Sequence, residues 1–476
     1  MRKTFMGVKL KTLREQRGLT QAALAAQLRL SPSYVNQLEN NQRPLSVPVL
    51  LRLQAVLGVD LQLFSEDDEA RLQASLREVL ADAAPGGVPA PELQALVQQL
   101  PAVADALLRL HRRCRSVEER LESVASELGD DRGPALSSAL HMPHEEVRDF
   151  FYARHNHFAA LDEGAEALHD GLSGSQDVDA AVLSALLVGH LDRAHGVRVV
   201  RTAPGQHDDA VRRFDPDARV LWLASHLEPG RAAFQLATQL AFFEAGRTID
   251  VLTDEGGFSS NEARALARIG LAAYFAGALV LPYRRFLASA EAVHYDIEAL
   301  ADRYGVSFET VCHRLSTLQR PEAPGVPFFF IRVDRAGNIS KRQSATDFHF
   351  SRTGGTCPRW NVYEAFTQPG RVIAQRAVMP DGRAYLWIAR SVTHAGGAYR
   401  APERSFAVAL GCDIRHAARL VYARGLDLND PEAATPIGAG CRVCDRHDCT
   451  QRAFPALGKA LRVDENRRGR EPYASA

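Results

Sequence analysis

The sequence lacks a segment that would carry the chain into or across a membrane. Its longest uncharged apolar stretch, residues 269–283, lies between two arginines, contains Pro282, and is shorter than the roughly 20 residues that a spanning helix needs. Near the N-terminus, charged residues recur every few positions, where a secretory signal needs an apolar core. We therefore expect a cytoplasmic protein that is not integral to a membrane.

Cysteine is scarce, and there is no net charge. Seven cysteines in 476 residues, unevenly spaced, do not suit a disulfide framework. The 57 basic and 57 acidic residues balance, which excludes a uniformly polycationic chain that coats nucleic acid. The length predicts roughly two to four domains, and a hydrophobic content of 46% is that of a globular protein and not of a disordered one.

The first 60 residues depart from this balance, because nine basic residues face three acidic ones. An acidic run at residues 66–69 follows this basic segment, a distribution that is typical of DNA-binding modules. Leu10 belongs to the apolar stripe of a predicted first helix, which Gly18 ends. Thr20 is a good N-cap for a second helix over Gln21–Leu28, and Val47–Leu57 is predicted as a closing helix.

Between these helices, Ser31 and Pro32 are a typical N-cap and first residue of a third helix. Two short helices joined by a tight turn form a helix-turn-helix, whose second helix enters the major groove. Asn and Gln bond adenine bidentately, whereas the basic side chains and Gln21 are placed for phosphate contacts. The predicted DNA-binding residues are Lys11, Arg14, Gln21, Ser31, Ser33, Tyr34, Asn36, Gln37, Asn40 and Arg43. Residues 13–46 resemble the xenobiotic-response-element (lambda repressor/Cro) helix-turn-helix family, which implies binding to promoter DNA.

A second feature concerns assembly, since two-fold operators are matched by two-fold proteins. Apolar residues alternate spacings of three and four, as in a coiled coil, at Leu93, Leu96, Leu100, Val103, Leu107, Leu110, Cys114, Val117, Leu121, Val124 and Leu128. The repeat predicts a homodimer or higher homo-oligomer, with a clean helix over residues 101–128. A single core helix packed on its own chain is an equal alternative. Residues 81–91 have the composition of a linker.

Residues 136–320 begin with a histidine-rich helical segment. It carries His141, His144, His155, His157 and His169. No paired zinc motif is formed, which favours solvent-exposed histidines. Short strands are predicted over residues 197–202 and 218–224, followed by a helix over residues 232–245.

This arrangement resembles the ImmA/IrrE zinc-peptidase domain, in which that helix carries an H-E-x-x-H motif. Here Thr238, Gln239 and Phe242 occupy the motif's ligand and base positions, and Ile269 and Gly270 stand near the expected third ligand. None of the first three binds zinc well or acts as a general base. We predict a scaffold that is not an enzyme and that keeps a cleft for a ligand.

Residues 299–319 have the sequence pattern of a second helix-turn-helix, with Gly305 in the turn and Ser307 as an N-cap. The same outline belongs to the peptidase-like fold, and the neighbouring charges are mixed. Both facts disfavour a role in reading DNA.

Five of the seven cysteines lie in the last 120 residues, three of them as C-x-x-C-x-x-x-x-C at Cys441, Cys444 and Cys449. The surrounding glycines and charges predict a loop, and thiolates at such spacing bind one metal centre. Three close cysteines with a remote fourth favour a [4Fe-4S] cluster, with zinc or metal-free thiols as alternatives. Cys412 is the expected fourth ligand, and Cys357 is the alternative.

The rest of residues 321–476 is predicted as a mixed α/β domain with strand-like VPFFFIRVD and AYLWIARSV. Four cations are candidates for binding an anionic ligand such as a phosphate-bearing coenzyme. They are Lys341, Arg342, Arg352 and Arg359.

Residues 311–366 and the tail GCRVCDRHDCTQRAFP resemble the short-chain fatty-acyl transcriptional regulators, which include regulators of the propionate/methylcitrate cycle and the glyoxylate shunt. The resemblance covers nearly the whole chain. It implies a transcription factor that binds promoter DNA, senses an acyl-CoA such as propionyl-CoA and, in some members, carries a [4Fe-4S] cluster.

The predicted fold class is multidomain, mainly α with α+β. A helix-turn-helix domain (residues 1–65) precedes a helical linker and possible dimerisation segment (66–135), an ImmA/IrrE-like α/β domain without metal ligands (136–320) and a mixed α/β sensing domain with the cysteine site (321–476). Two other functions compete with an acyl-CoA-sensing regulator. One is a zinc metallopeptidase that cleaves a repressor, and the other is a zinc-stabilised DNA-binding regulator without ligand sensing.

Overall fold

The structure is a computed structural model of the chain. It describes residues 7–40, 42–57, 66–83, 88–127, 143–202, 210–346, 348, 356–394, 403–428, 430–441, 444, 446–447, 449–455, 463 and 466. The chain divides into two compact units, one made of Met1–Ser137, Asp347–Thr356 and Gly438–Ala476, the other of Ser138–Thr346 and Cys357–Ile437. The predicted class, multidomain and mainly α with α+β, is confirmed, while the bounds of the four predicted domains stay predictions.

The first unit begins with four short helices, α1 (Gly7–Gln16), α2 (Gln21–Leu28), α3 (Pro32–Glu39) and α4 (Val47–Leu57). Both predicted N-caps are present: Thr20 Oγ1 accepts from the Ala23 amide, and Ser31 Oγ accepts from the Tyr34 amide, each at 3.1 Å. Arg29 ends α2 in the left-handed conformation, with φ of 53°. Apolar side chains of all four helices form one core, Leu10, Leu24, Ala25, Leu28, Val35, Leu38, Leu45, Val49 and Leu53.

Three further helices follow in this unit, α5 (Glu66–Ala83), α6 (Ala90–Gln99) and α7 (Pro101–Glu127). The helix predicted over residues 101–128 is thus confirmed to within one residue. They pack on one another around a small core of Leu76, Leu93, Val97 and Ala104. The apolar repeat is interrupted between α6 and α7, and some of its members on or next to α7 stay exposed: Leu100 (53%), Val103 (46%), Leu110 (57%) and Val117 (44%).

The second unit is largely helical in its first half. Its helices are α8 (Pro143–Tyr152), α9 (Ala159–Ser173), α10 (Ala180–His195), α11 (Pro229–Glu244), α12 (Gly246–Glu255), α13 (Asn261–Val280), α14 (Tyr283–Ala292), α15 (Ile297–Tyr304) and α16 (Phe308–Leu315). A small sheet in the order β1-β3-β2 joins them, with β1 (Arg198–Thr202), β2 (Arg212–Asp215) and β3 (Val220–Ala224). β1 is parallel to β3, and β2 is antiparallel to it. The two predicted strands and the predicted helix are present, and β2 had not been predicted.

Helix α13 is long and apolar enough to span a membrane by length and composition, yet 61% of its most apolar stretch is buried inside the protein. Leu271, Phe275 and Leu279 are among its core residues. The helix therefore fills the core of the second unit.

The prediction of solvent-exposed histidines is wrong for His169, which is 2% exposed. Its Nδ1 lies 2.8 Å from the Leu279 carbonyl oxygen, because the side chain is on the core side of α9. Burial lowers the pKa of His169. His144 is exposed as predicted, and His141 lies outside the described residues.

The second half of this unit holds a sheet in the order β5-β4-β8-β7-β6-β9. The strands are β4 (Phe329–Val333), β5 (Ile339–Ser344), β6 (Ile373–Val378), β7 (Ala384–His394), β8 (Arg404–Asp413) and β9 (Thr435–Pro436), and a one-turn helix α17 (Asn361–Glu364) precedes β6. All pairs are antiparallel except β6 with β9. Three short 3-10 helices follow β8, at Ile414–Arg419, Val421–Ala423 and Pro431–Ala433.

A buried ion-pair network ties the start of this unit to the segment after α16. Asp162 is fully buried, and its carboxylate accepts from Arg314 at 2.7 Å and from Arg320 at 3.3 Å. Arg320 also contacts Glu166 at 3.1 Å. Because each charge has an opposite partner, the network can stay ionised in the protein interior.

Candidate DNA interface, ligand pocket and cysteine loop

Helix α3 presents the predicted polar face to solvent. Ser33, Asn36 and Asn40 are exposed, and Gln37 is half-buried. Asn36 Oδ1 accepts from Asn40 Nδ2 at 2.9 Å and from Gln21 Nε2 at 3.4 Å. The amide groups that would bond base edges therefore form one connected polar surface.

Two of the predicted phosphate-contacting residues have roles inside the domain. Arg14 Nε donates to Glu39 Oε1 at 2.6 Å, and Gln21 Nε2 donates to Glu39 Oε2 at 2.8 Å. Glu39 is 3% exposed, and its hydrogen bond raises the pKa of Arg14. Arg14 thus holds α1 against α3. A phosphate contact by its guanidinium would compete with this ion pair.

The other predicted contacts lie at the edge of the helix-turn-helix. Lys11 and Arg43 are exposed, and the Arg43 guanidinium lies 5.5 Å from the centre of the half-buried Tyr34 ring. The hydroxyl of Ser31 is used as the N-cap of α3. The DNA contacts of all ten residues stay predictions.

On α11, the side chains at the positions of the peptidase motif are buried or partly buried in the protein. Thr238 is buried and donates its hydroxyl to the Phe234 carbonyl at 2.7 Å, and Gln239 is buried beside it in the chain. Phe242 is partly buried, with Arg212 at 6.0 Å from its ring centre. A Cβ at Gly270 would lie 3.1 Å from Phe151, so the helix packs closely there. These side chains offer a zinc ion no adequate ligand set.

A cavity of about 490 Å³ lies between α17, β6 and the segment before β9. Two cationic side chains, Arg371 and Arg376, line it together with Asn361 and Leu426. Asn361 Nδ2 donates to the Ile373 carbonyl at 3.2 Å, while its Oδ1 is buried and has no hydrogen-bond partner among the described residues. Within the same described part of the chain, the buried Nε of Arg376 has no partner either. Burying a polar atom without a hydrogen-bond partner costs free energy of folding. The two atoms therefore point to a ligand or to water in this cavity.

The structure places the predicted anion-binding cations apart from this cavity or at its edge. Lys341 lies on β5, with its Nζ 3.5 Å from Glu309, and the neighbouring Arg342 is half-buried. The carbonyl of Arg359 accepts from the cavity residue Gln375 at 3.0 Å. Arg352 lies outside the described residues.

The three tail cysteines lie on a loop that one side chain organises. Arg452 is 5% exposed and donates to the carbonyls of Cys441 (3.3 Å), Cys444 (3.1 Å) and Arg446. The amide of Ala453 donates to Cys441 Sγ at 3.2 Å. Cys441 and Cys444 are buried, and Cys449 is half-buried.

Close packing continues at Gly438, where a Cβ would meet Cys444 Sγ at 2.6 Å. A glycine is therefore required for the loop to approach this sulfur. Cysteines on a loop, with an amide aimed at one sulfur, suit a thiolate-bound metal centre, whose potential depends on such hydrogen bonds.

The two candidates for a fourth cysteine ligand belong to the other unit. Cys412 is fully buried on β8, opposite Leu386, and belongs to the hydrophobic core. Burial raises the pKa of its thiol, and burial raises the pKa of Cys444 on the loop as well. Cys357 is 7% exposed, precedes α17, and its carbonyl accepts from the Trp360 amide at 3.2 Å.

Comparison with known proteins places these sites in a family. Residues 10–64 match a helix-turn-helix model, residues 192–316 an IrrE N-terminal-like domain, and residues 317–473 the C-terminal domain of the short-chain fatty acyl coenzyme A regulators. The HTH-type transcriptional regulator RamB of Mycobacterium tuberculosis is 50% identical over 99% of both chains. The chain belongs to the short-chain fatty acyl-CoA regulator family.

Two further relatives agree with this assignment. The propionyl-CoA carboxylase regulator of Cereibacter sphaeroides is 44% identical and matches 99% of this chain and 98% of its own. A solved structure of a Mycobacterium tuberculosis transcriptional regulator is 51% identical, with a TM-score of 0.67, over 70% of this chain and all of that one. As a member of the family, the protein is a DNA-binding transcriptional regulator and not an enzyme, so the metallopeptidase alternative is excluded.

Within the family's C-terminal domain, our sequence reasoning missed the cavity. It did not predict β6, because apolar and polar residues do not alternate in IAQRAV and the sequence carries no strand pattern there. It also missed a cluster of two histidines and a glutamate at the ends of α10 and α11, because the glutamate is about 50 residues from both histidines in the sequence.

Proposed function

We propose that the protein is a cytoplasmic, promoter-binding regulator of short-chain fatty-acid metabolism whose affinity for DNA is set by an acyl-CoA bound in the C-terminal domain. The observation that carries this proposal is the cavity with unpaired buried polar atoms on Asn361 and Arg376, within the region that matches the acyl-CoA regulator model. The name of the Cereibacter sphaeroides relative, propionyl-CoA carboxylase regulator, supports propionyl-CoA metabolism as the process that is regulated.

The lining of the cavity suits a ligand that is anionic at one end and apolar at the other. Arg371 and Arg376 can bind phosphate oxygens, since guanidinium groups match their geometry. Val372, Ile373 and Leu426 offer apolar contacts for a short acyl chain. Glu364 and Asp427 also line the cavity and would select for hydrogen-bond donors such as amides. Of the four cations predicted from the sequence, Arg359 is the one whose backbone carbonyl bonds a residue of the cavity lining, Gln375.

The switch requires two arrangements of the protein that differ in affinity for the acyl-CoA. A ligand that binds one arrangement more tightly raises its population and so changes the affinity for the operator. A homodimer provides the two recognition helices that a two-fold operator needs. The exposed apolar side chains Val103, Leu110 and Val117 on α7 support a pairing surface between two copies.

Ligand binding is tested by calorimetry of the full-length protein with propionyl-CoA, compared with acetyl-CoA and butyryl-CoA. Arg371→Ala should weaken binding by about tenfold or more, because it removes a charge-assisted hydrogen bond. Arg383→Ala is the matched control, since Arg383 lies on the same hairpin but bonds Asp381 and is not part of the cavity lining. Equal affinity in the wild type and Arg371→Ala would assign the ligand to another site.

The cysteine loop is proposed to hold a [4Fe-4S] cluster through Cys441, Cys444 and Cys449, which would supply a redox input when bound. The support for a thiolate-bound centre is chemical: three cysteines lie on one loop, and the Ala453 amide donates to Cys441 Sγ.

The test is anaerobic purification followed by visible absorption and by iron, sulfide and zinc analysis. About four irons per chain with a broad visible band is the expected result. Loss of the band in Cys412→Ser or Cys357→Ser identifies the fourth ligand. One zinc per chain without a visible band would instead favour a zinc-stabilised regulator.

Oligomeric state is tested by sedimentation of the full chain. Leu110→Glu places a charge in the exposed apolar stripe and should shift the protein from dimer to monomer. Arg109→Glu, at the adjacent exposed position, is the control. A wild-type monomer would contradict the pairing surface.

A further inference from the structure

Three side chains meet where two helices of the second unit end. His190 Nε2 lies 2.9 Å from Glu244 Oε1, and His195 Nε2 lies 2.8 Å from the same oxygen. The three ligand atoms are all within 4.8 Å of one another. Their side chains are 21%, 19% and 33% exposed, so water and ions can reach the cluster.

The donor set and its spacing are those of a transition-metal site. Imidazole nitrogens and a carboxylate oxygen bind divalent zinc, cobalt, nickel and copper, and two histidines with one carboxylate leave positions open for water. With metal–ligand bonds of about 2.0–2.1 Å in tetrahedral geometry, donor atoms lie about 3.3 Å apart. The two nitrogen–oxygen distances are within a few tenths of an ångström of that value. A small outward movement of the side chains would therefore admit an ion.

The backbone also favours a cation at this place. His195 is the last residue of α10, and Glu244 is the last residue of α11. The carbonyl ends of two helices, which carry partial negative charge, thus converge near the cluster. Arg219 is a cation already present nearby, and its guanidinium donates to the His195 carbonyl and lies 5.5 Å from the Phe243 ring centre. Because the Arg219 guanidinium bonds this backbone carbonyl, Glu244 Oε1 contacts the two imidazoles.

The ligands are oriented before any ion binds. The His195 ring stacks on Phe243 at 4.9 Å, and Phe214 meets Phe243 edge-on at 5.4 Å. Burial acts to raise the pKa of Glu244, but hydrogen bonds from His190 and His195 outweigh it and keep the pKa below its usual range.

The cluster of His190, His195 and Glu244 is separate from the peptidase motif positions and from the cysteine loop. The peptidase motif positions Thr238, Gln239 and Phe242 precede Glu244 on α11 and supply no adequate ligand set. The cysteine loop belongs to the other compact unit. We propose that His190, His195 and Glu244 bind a divalent transition-metal ion, which would link the C-terminal ends of α10 and α11. This site does not depend on acyl-CoA sensing.

The test is a titration of the full-length, chelator-treated protein with Co²⁺, chosen because its spectrum distinguishes ligand types. The titration uses the Cys441→Ser/Cys444→Ser variant, because the cysteine loop of the wild type can also bind Co²⁺. In this variant we expect one Co²⁺ per chain with visible d–d bands and without thiolate charge transfer. His195→Ala and Glu244→Gln should each weaken the affinity for Co²⁺ by about 10–100-fold or more. That range is found even for residues that only hydrogen-bond to a metal ligand. His226→Ala, at an exposed histidine of the same unit, is the matched control.

A second readout needs no variant. Electron paramagnetic resonance of the wild-type protein with one equivalent of Cu²⁺ should show hyperfine coupling to two imidazole nitrogens. Absence of imidazole coupling in the wild type, or Co²⁺ binding that survives in His195→Ala and disappears with the cysteines, would overturn the proposal.

Discussion

Two helix pairs in this chain have nearly the same local geometry. The pair α2 and α3 and the pair α15 and α16 each join two helices of eight residues through three residues. In both turns the first residue is left-handed, Arg29 with φ of 53° and Gly305 with φ of 62°. In both, a serine N-cap starts the second helix, Ser31 with a 3.1 Å bond and Ser307 with a 3.2 Å bond from the amide three residues on.

The two pairs differ in what the second helix does with its side chains. Helix α3 buries Val35, Leu38 and Glu39 and leaves its amide side chains at the surface. Helix α16 instead buries Phe308, Val311, Cys312, Arg314 and Leu315. The two pairs share a backbone geometry but not an exposed polar face, so we expect only the first pair to read DNA.

The largest effect that separates the two pairs is expected from Arg314→Ala in α16. It leaves the buried Asp162 carboxylate without its 2.7 Å partner and should cost about 3–5 kcal/mol of stability. Arg303→Ala in α15 is the control, because its pair with Asp177 is about half exposed on both sides and is worth at most about 1 kcal/mol. Urea unfolding measures both, and equal losses would show that the buried network does not stabilise the second unit.

The next effect concerns DNA. Asn36→Ala removes a candidate adenine contact and should weaken operator binding by about 1–3 kcal/mol, a factor of roughly 5–150 in Kd. Its thermal unfolding should be nearly unchanged, since Asn36 is exposed. His313→Ala, on the corresponding helix α16, should leave the operator Kd unchanged in the same electrophoretic assay. Weaker operator binding by His313→Ala would mean that the second pair also reads DNA.

A smaller effect tests the shared N-caps. Ser31→Ala and Ser307→Ala should each cost about 1 kcal/mol, because each leaves a helix amide without its acceptor. Ser→Asp at either position keeps an acceptor and should retain most of the stability. The Ser31→Ala loss should appear in the unfolding of the first unit and the Ser307→Ala loss in that of the second, as measured by hydrogen exchange. Losses that appear in both units would show that the two units unfold together.

Effects of the same size or smaller concern the left-handed turn residues, and the two have opposite signs. Arg29→Gly removes a Cβ from a left-handed position and should stabilise the first unit by a few tenths of a kcal/mol. Gly305→Ala should destabilise the second by about 1 kcal/mol. The cost comes from the left-handed backbone and not from a clash, since the added Cβ would lie 3.5 Å from the Ala180 nitrogen, an ordinary van der Waals contact. Calorimetry measures both, and a neutral Gly305→Ala would show that strain at this turn is relieved locally.

Features that depend on a few neighbouring residues were predictable from sequence. The caps at Thr20 and Ser31 and the bounds of α2 and α4 follow from short-range rules, and the structure confirms them. The absence of zinc ligands at Thr238 and Phe242 was equally visible, because the peptidase motif is local to one helix.

Features that depend on distant pairing were not predictable. The strand β8 that buries Cys412 contains no alternation, because it is covered on both faces. Asp162 and Arg314, and likewise Glu244 and its two histidines, come together only through the packing of helices far apart in sequence. The same is true of the cavity around Asn361 and Arg376, so pattern analysis found only Arg359 at its edge. The roles of the tail cysteines stay predictions.

The ion pair between Asp162 and Arg314 also bears on the time course of folding. It joins residues 152 positions apart, so the intervening chain must be ordered before the two charges meet. We expect this contact to form after the transition state, so that its loss accelerates unfolding more than it slows folding. We therefore expect the pair to set how long the folded state persists once formed, and to leave the rate at which it forms nearly untouched.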